Sequence, residues 1–321
     1  MAQIRAELLG SKKRKIFCLS TTANVANPPL YFTSIRETER TIAGSAMFSR
    51  GERVAEVVAG FAGLVDLLLV DTEVKNSITD LEQRVRHCAG ATPVYGFKPN
   101  DLTVDALDAF LSRKVPDLRG VTVAVLGMGN LGGKISLRLL ERGARVQVWG
   151  RNAARVRSIA QGLSLLAKGS GTIDVSALPE RCLEGAQVVL GTSAGVPVWE
   201  RGWAKKIQGL VIDVGNGCFG EAGIRELHAA GMEVYCLNFM PGYRGFLECF
   251  EATEALVFGL GRRSVSRGVN LITPGLVGRR GDILVDRLEN WTRIVGVCDG
   301  TGGVLKNDEA APFLERMKVH D

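Results

Sequence analysis

Histidine is scarce in this chain of 321 residues: His87, His228 and His320 are the whole supply. None stands at metal-ligand spacing from another, so a metal centre is not expected and a serine–histidine–carboxylate apparatus has little to be built from. The seven cysteines (Cys18, Cys88, Cys182, Cys218, Cys236, Cys249 and Cys298) are odd in number and form no C-x-x-C pair. That pattern argues against a disulfide framework and for buried thiols in a reducing compartment. Long apolar runs are missing as well. The most apolar stretch, 54–70, is broken by Glu56 and Asp66, which excludes a membrane span, and residues 1–15 lack the apolar core of a secretory signal. A cytoplasmic protein is the expectation. The net charge of +6 comes in short clusters, Lys12-Lys13-Arg14-Lys15, Arg262-Arg263, Arg267 and Arg279-Arg280. No stacking aromatics interleave with them, so nucleic acid is not an expected partner. The modest positive balance suits anionic cofactors and substrates.

What is present is an apolar content of 46% and 39 glycines, the composition of an α/β protein with many tight turns between strands and helices. The chain is organised around 121–152. Val121, Val123, Ala124, Val125 and Leu126 read as a buried parallel strand. Gly127-Met128-Gly129-Asn130-Leu131-Gly132 follows at once, then a helical pattern through Ile135, Leu139 and Leu140, and then a second strand, Val146 to Trp149. G-x-G-x-x-G between strand and helix marks a dinucleotide site. The first glycine permits the sharp turn, Gly129 lets a pyrophosphate approach the backbone, and Gly132 allows close packing of helix on strand. The free N–H groups of the helix start face the phosphates. After the second strand, where NAD sites place an acid for the ribose 2′-OH, the residues are Gly150, Arg151 and Asn152. The missing acid and the planar guanidinium of Arg151 favour a 2′-phosphate and hence NADP, with Asn152 and Arg155 in support.

Along the chain the pattern predicts strands at 16–19, 67–70 and 94–96, with helices at 52–64, 77–88 and 102–111. This is a small N-terminal α/β domain, 1–116, expected to bind substrate and to be joined by 247–321. A Rossmann doubly wound parallel sheet is expected over 117–246, with strands near 121–126, 146–149, 172–175, 187–190, 210–214 and 233–237. Ligands lie beyond the carboxyl ends of such strands. That selects Thr192 and Ser193, Asn216, and Met240 in the turn 238–242, alongside Gly127, Gly129, Asn130, Leu131, Gly132, Arg151 and Asn152. Two strands of a hairpin-like unit are expected in the tail, at 283–285 and 294–297. The cluster Gly300-Thr301-Gly302-Gly303 lacks a following helix and is not read as a phosphate loop.

With so few histidines, the proton accompanying a hydride must be managed by another residue. Lys75, just past the strand at 67–70, is the first candidate and Asp101 the second. Ser20 and Thr21, in a hydroxyl-rich loop after the first strand, and Asn76 and Asn100 are candidates for holding substrate.

The order of parts resembles that of shikimate dehydrogenase-like and amino-acid-dehydrogenase-like Rossmann proteins, with Lys75-Asn76, Asn100-Asp101, Gly150-Arg151-Asn152 and Gly191-Thr192-Ser193 at the places of their motifs. Asn100-Asp101 lacks the threonine that stands between the two in the shikimate pattern. Met47-Phe48-Ser49-Arg50-Gly51 and 185–191 are similar to segments of methylene-tetrahydromethanopterin and methylene-tetrahydrofolate dehydrogenases, and 210–256 resembles the A-type subunit of dipicolinate synthase. The resemblance covers about 118–256. It implies an NADP-dependent oxidoreductase acting on a C=O, C=N or methylene carbon of a small molecule held between two domains, working as a homo-oligomer such as a dimer. A pterin would need a stacking surface, for which Tyr31, Phe48 and Tyr243 are available. The rival expectation is a dinucleotide-binding regulatory or scaffold protein without turnover.

Overall fold

In the computed structural model, residues 1–24, 26–75, 78–193, 195–266 and 268–318 are described. They fall into two compact units, Met1–Arg244 and Gly245–Asp321.

The first unit opens with α1 (Ala2–Gly10), β1 (Arg14–Thr21), β2 (Leu30–Glu37), β3 (Thr41–Phe48), α2 (Val54–Phe61), β4 (Leu67–Asp71), α3 (Leu81–Cys88) and β5 (Val94–Phe97). The strands form one sheet in the order β2-β3-β1-β4-β5. Only β2 runs antiparallel to its neighbour. The hairpin of β2 and β3 was not expected from the sequence. β3 is built largely of small residues, because α1 presses on it: a Cβ on Gly44 would lie 2.6 Å from Ile4 Cγ2. Strand side chains alternate between faces. Phe17, Leu19, Ala46 and Phe48 point into a core with α1, α2 and α3, where Phe17 stacks on Phe61 with ring centroids 3.6 Å apart. The opposite face, bearing Cys18, Ser20, Ser45 and Met47, lines a cleft.

α4 (Pro99–Lys114) leads to the second sheet. It starts three residues earlier than the periodicity suggested, with Pro99 in its first turn, where the missing N–H costs nothing. Asp101 is therefore inside the helix rather than its cap. Then follow β6 (Thr122–Leu126), α5 (Asn130–Glu141), β7 (Arg145–Trp149), α6 (Ala153–Leu166), β8 (Thr172–Val175), α7 (Pro179–Cys182), β9 (Ala186–Gly191), β10 (Ile207–Asp213), α8 (Gly220–Ala229) and β11 (Val234–Cys236). The order is β11-β10-β9-β6-β7-β8, all parallel, which is the doubly wound Rossmann sheet. Val123, Val125, Val146 and Val148 pack against α4, α5 and α6 on one face. Ala124, Leu126, Val189 and Val211 pack against α7, α8 and the 203–207 segment on the other. The order reverses between β6 and β9, and a ligand crevice is expected at that switch point.

α9 spans Met240–Gly259. In the second unit, β12 (Arg262–Ser266), β13 (Val269–Ile272), β14 (Ile283–Val285) and β15 (Ile294–Val297) form a four-stranded sheet, and α10 (Asn307–Lys318) packs on it. β14 and β15 are antiparallel neighbours, as expected of a hairpin-like unit. Buried Asp282 accepts from Arg262 at 2.8 Å, Asn270 at 3.2 Å and the Arg279 N–H at 2.8 Å. The glycine cluster at 300–303 is a turn organised by Asp299, whose Oδ1 accepts from Thr301 N at 2.7 Å and Gly303 N at 3.0 Å. Among the described residues, no helix is long and apolar enough to cross a membrane.

Candidate functional site

A cleft of about 1040 Å³ opens in the first unit, between the carboxyl ends of the parallel strands of its two sheets. On the Rossmann side its floor is the glycine turn, and each glycine there has a separate physical reason. Gly127 has φ +115°, and a Cβ would fall 2.8 Å from Ser193 N. A Cβ on Gly132 would lie 2.0 Å from Gly127 O, so only glycine lets α5 start this close to β6. At Gly129 a Cβ would meet nothing within 4 Å. Its absence leaves bare backbone facing the cleft at the N-terminus of α5, as a pyrophosphate requires. Thr192 fastens the turn from the neighbouring strand, donating to Leu126 O at 3.1 Å and to Gly127 O.

Past the end of β7 the cleft presents cationic side chains. Arg151 and Arg155 line the cleft, and both are exposed. Among the described residues no carboxylate pairs with either. Asn152 caps α6, its Oδ1 accepting from Arg155 N at 3.0 Å. That bond points the first turn of α6, and with it Arg155, at the cleft.

Across the cleft a charged cluster surrounds Lys75, whose side chain is 13% exposed. Its Nζ lies 2.9 Å from Asp71 Oδ2 and 3.4 Å from Glu73 Oε2. Asp71 is fully buried at the end of β4, and its carboxylate is fixed by Thr21 N at 3.0 Å, Thr21 Oγ1 at 2.8 Å and Glu73 N at 2.8 Å. Glu73 also accepts from Asn100 N at 3.0 Å and from Lys134 Nζ at 2.7 Å. Lys134, on α5, pairs with Asp101 in turn. Burial opposes the Lys134 charge, but the bonds to Asp101 and Glu73 outweigh it and hold its pKa above the ordinary lysine value. The result is an alternating chain, Lys75–Glu73–Lys134–Asp101, running from the cleft to the surface and tying β4 to α5. Asn100 Nδ2 donates to Asn130 Oδ1 at 2.9 Å, a second tie between the two halves.

The remaining wall is the open face of the N-terminal sheet. Cys18 sits 3.5 Å from Tyr243 Oη. Burial pushes the Cys18 thiol up to about 11, and the hydrogen bond to Tyr243 and the charge of Arg36 only partly offset it. Burial likewise raises the Tyr243 phenol well above its usual value, so both groups are neutral at physiological pH. Arg36, on β2, extends into the cleft with its Cζ 4.8 Å above the Phe239 ring and its Nη1 2.9 Å from Ser45 Oγ.

Of the residues expected from the sequence, Gly127, Gly129, Asn130, Leu131, Arg151, Asn152, Thr192, Ser193 and Asn216 line this one cleft, together with Ser20, Thr21, Lys75 and Asn100. Gly132 lies beneath the turn as packing. Two of the expected residues lie off the cleft lining. Asp101 does not line the cleft, because α4 begins at Pro99 and turns its carboxylate onto Lys134. Met240 does not line it either; Phe239 and Tyr243, four residues apart, take that wall. Asn76 lies outside the described residues. Tyr31 and Tyr243 border the cleft, whereas Phe48 is in the core. Sequence reasoning gave no role to Asp71, Glu73, Lys134 or Arg36. The D-x-E-x-K run after a buried strand was a legible signal for the first two. Arg36 carried none, since its strand was not recognised.

Residues 122–192 match the family of NAD binding domains of 6-phosphogluconate dehydrogenase. No curated protein sequence matches the chain. Among solved structures, the chain is similar to shikimate dehydrogenase from Aquifex aeolicus at 15% identity, TM-score 0.43, over 74% of this chain and 92% of that one. It is also similar to glutamate dehydrogenase from Thermus thermophilus at 17% identity, TM-score 0.44, over 74% and 67%. A third is the A-type subunit of dipicolinate synthase from Bacillus halodurans at 15% identity, TM-score 0.35, over 52% of this chain and 57% of that one, so the chain spans little more than half of that protein. Strand order, glycine turn and family match together make 122–236 a Rossmann-type domain for a nicotinamide dinucleotide.

Proposed function

We propose that the chain is an NADP-dependent oxidoreductase that moves a hydride to or from a C=O, C=N or methylene carbon of a small polar substrate held in the cleft of the first unit. One observation carries the reading. The same cleft has a glycine turn and, beside it, two arginines with no carboxylate partner among the described residues; its other side has a lysine held between two carboxylates. When bound, the nicotinamide supplies the hydride. Arg151 and Arg155 hold the 2′-phosphate, and the α5 N-terminus holds the pyrophosphate. Lys75 Nζ, which lines the cleft, would manage the proton: in the reducing direction it would deliver one to the carbonyl oxygen or imine nitrogen, and in the other direction take one up. Asp71, immobilised by Thr21 and by the backbone of Glu73, fixes where that proton sits. Ser20, Thr21 and Asn100 present polar groups to the substrate.

The test is a fluorescence titration of NADPH against NADH, followed by oxidation of the bound NADPH with pooled oxo acids, cyclic imines and pterins. The expected result is a preference for NADPH and turnover on one pool. Tight binding without turnover on any pool would favour the regulatory alternative. Arg151→Ala is expected to weaken NADPH about 10- to 100-fold, the worth of one or two charge-assisted hydrogen bonds, with NADH affected less than about threefold. Equal losses for the two cofactors would overturn the 2′-phosphate assignment.

A further inference from the structure

We propose that Arg36 anchors a carboxylate on the substrate, at the end of the molecule remote from the reacting carbon. The inference rests on the functional reading above for the place of that carbon, beside Lys75. Arg36 projects from β2, where it pairs with Ala43 of β3, and its head lines the cleft. One of its N–H groups donates to Ser45 Oγ at 2.9 Å, and its plane is braced by the Phe239 ring.

Among the described residues no carboxylate pairs with it, although Lys75 and Lys134 in the same region each have two. A partly buried guanidinium held in one orientation, its remaining donors turned to a cleft, presents the fork that two carboxylate oxygens match. Among the described residues that line the cleft there is no carboxylate to compete with an incoming anion. Cys18 and Tyr243, which feel the Arg36 charge, are neutral at physiological pH, and burial raises both further.

The register gives the distance. Ser45 lies opposite Cys18, three residues before Thr21, whose hydroxyl holds Asp71. At ~3.3 Å per residue, the anchor and the Lys75 cluster are separated by ~10 Å along the sheet. A 2-oxo acid, whose reacting carbon is bonded to its carboxyl carbon, does not reach both. A molecule with several atoms between the carboxylate and the reacting carbon does.

Binding of 4-oxocyclohexanecarboxylate, its carboxamide and 2-oxopentanoate to the full chain, by calorimetry with and without NADPH, tests this. The wild-type protein is expected to bind the ring acid at least tenfold more tightly than its amide. In Arg36→Gln the ratio should fall below twofold with NADPH affinity unchanged. Equal binding of acid and amide by the wild type would overturn the proposal, as would a ratio undiminished in Arg36→Gln. Should that variant fail to fold, Arg36→Lys decides, since a ratio at least threefold below wild type supports the anchor and an unchanged ratio refutes it. Turnover of 2-oxopentanoate with the same dependence on Arg36 would refute the spacing. Failure of NADPH to bind while the acid–amide ratio persists would sink the oxidoreductase reading and leave the anion site standing.

Discussion

At the scale of single residues, the three glycines of the turn separate stability from binding. Gly132→Ala forces a methyl to within 2.0 Å of Gly127 O, and such a clash in a packed interior destabilises by ~1–3 kcal/mol or more. Gly129→Ala meets no protein atom within 4 Å. It is therefore expected to leave the melting temperature within about 2 °C of wild type, the range of a surface substitution away from any packed feature, while weakening NADPH at least about tenfold by occupying the approach to the backbone. Thermal melts beside cofactor titrations check this, and an alanine at 129 that binds NADPH normally would show that the pyrophosphate does not pass there. Lys75 permits a similar separation. Lys75→Met keeps the length of the side chain and removes its proton, so kcat should fall about 100- to 10,000-fold, the usual worth of a positioned acid or base, with NADPH affinity changed less than about twofold. Steady-state rates on the substrate pool that reacts decide the point. A kcat within about threefold of wild type would move the proton to another group, with Tyr243 next in line because its neutral phenol borders the same cleft.

At the scale of elements, the Rossmann strands were legible because each is a short β-branched run bounded by glycine or a polar turn, and all six are present. The hairpin of β2 and β3 was not. In Thr41–Phe48 the middle of the strand, Ala43-Gly44-Ser45-Ala46, puts small residues on both faces, with Gly44 admitting Ile4 of α1, so no alternation of apolar and polar residues survives. The same pressure hid Arg36: a strand that lines a ligand cleft and packs under a helix loses the pattern by which strands are recognised. The place of Asp101 was hidden for a different reason: α4 starts at Pro99, so Asp101 lies in its first turn and pairs with Lys134 of α5. The elements are held by their cores rather than by these details. Phe61, fully buried on α2, stacks on Phe17 of β1 and lies near Phe32 of β2. Phe61→Ala should cost about 3–5 kcal/mol, read as a lower denaturant midpoint. A loss below about 1 kcal/mol would mean that α2 is not a principal support of this sheet.

At the scale of the whole molecule, the first unit buries several groups that must stay neutral, and this sets its response to alkali. Burial raises Cys18 from 9.0 to about 11 and Cys182 from 9.0 to about 12, and it raises Tyr243 as well. A folded-state pKa above the unfolded value means that the folded protein holds the proton more tightly. The associated stability is fully present below the unfolded value, near pH 9 for the thiols, and is lost as pH rises from there toward the folded values. At 1.36 kcal/mol per unit each thiol contributes ~2–4 kcal/mol to that loss, which is large against a total stability of ~5–15 kcal/mol. Lys134 acts in the same direction, since its pKa is raised by its two carboxylate partners and their attraction disappears once the amine deprotonates. The melting temperature should thus be level with respect to these groups up to about pH 9 and fall steeply above it. The double variant Cys18→Ser, Cys182→Ala, although less stable at pH 7, should fall less steeply between pH 9 and 11, because both titrating thiols are gone. Parallel alkaline limbs for the two proteins would show that the buried thiols do not govern the transition, leaving the Lys134 network and Tyr243 as its source.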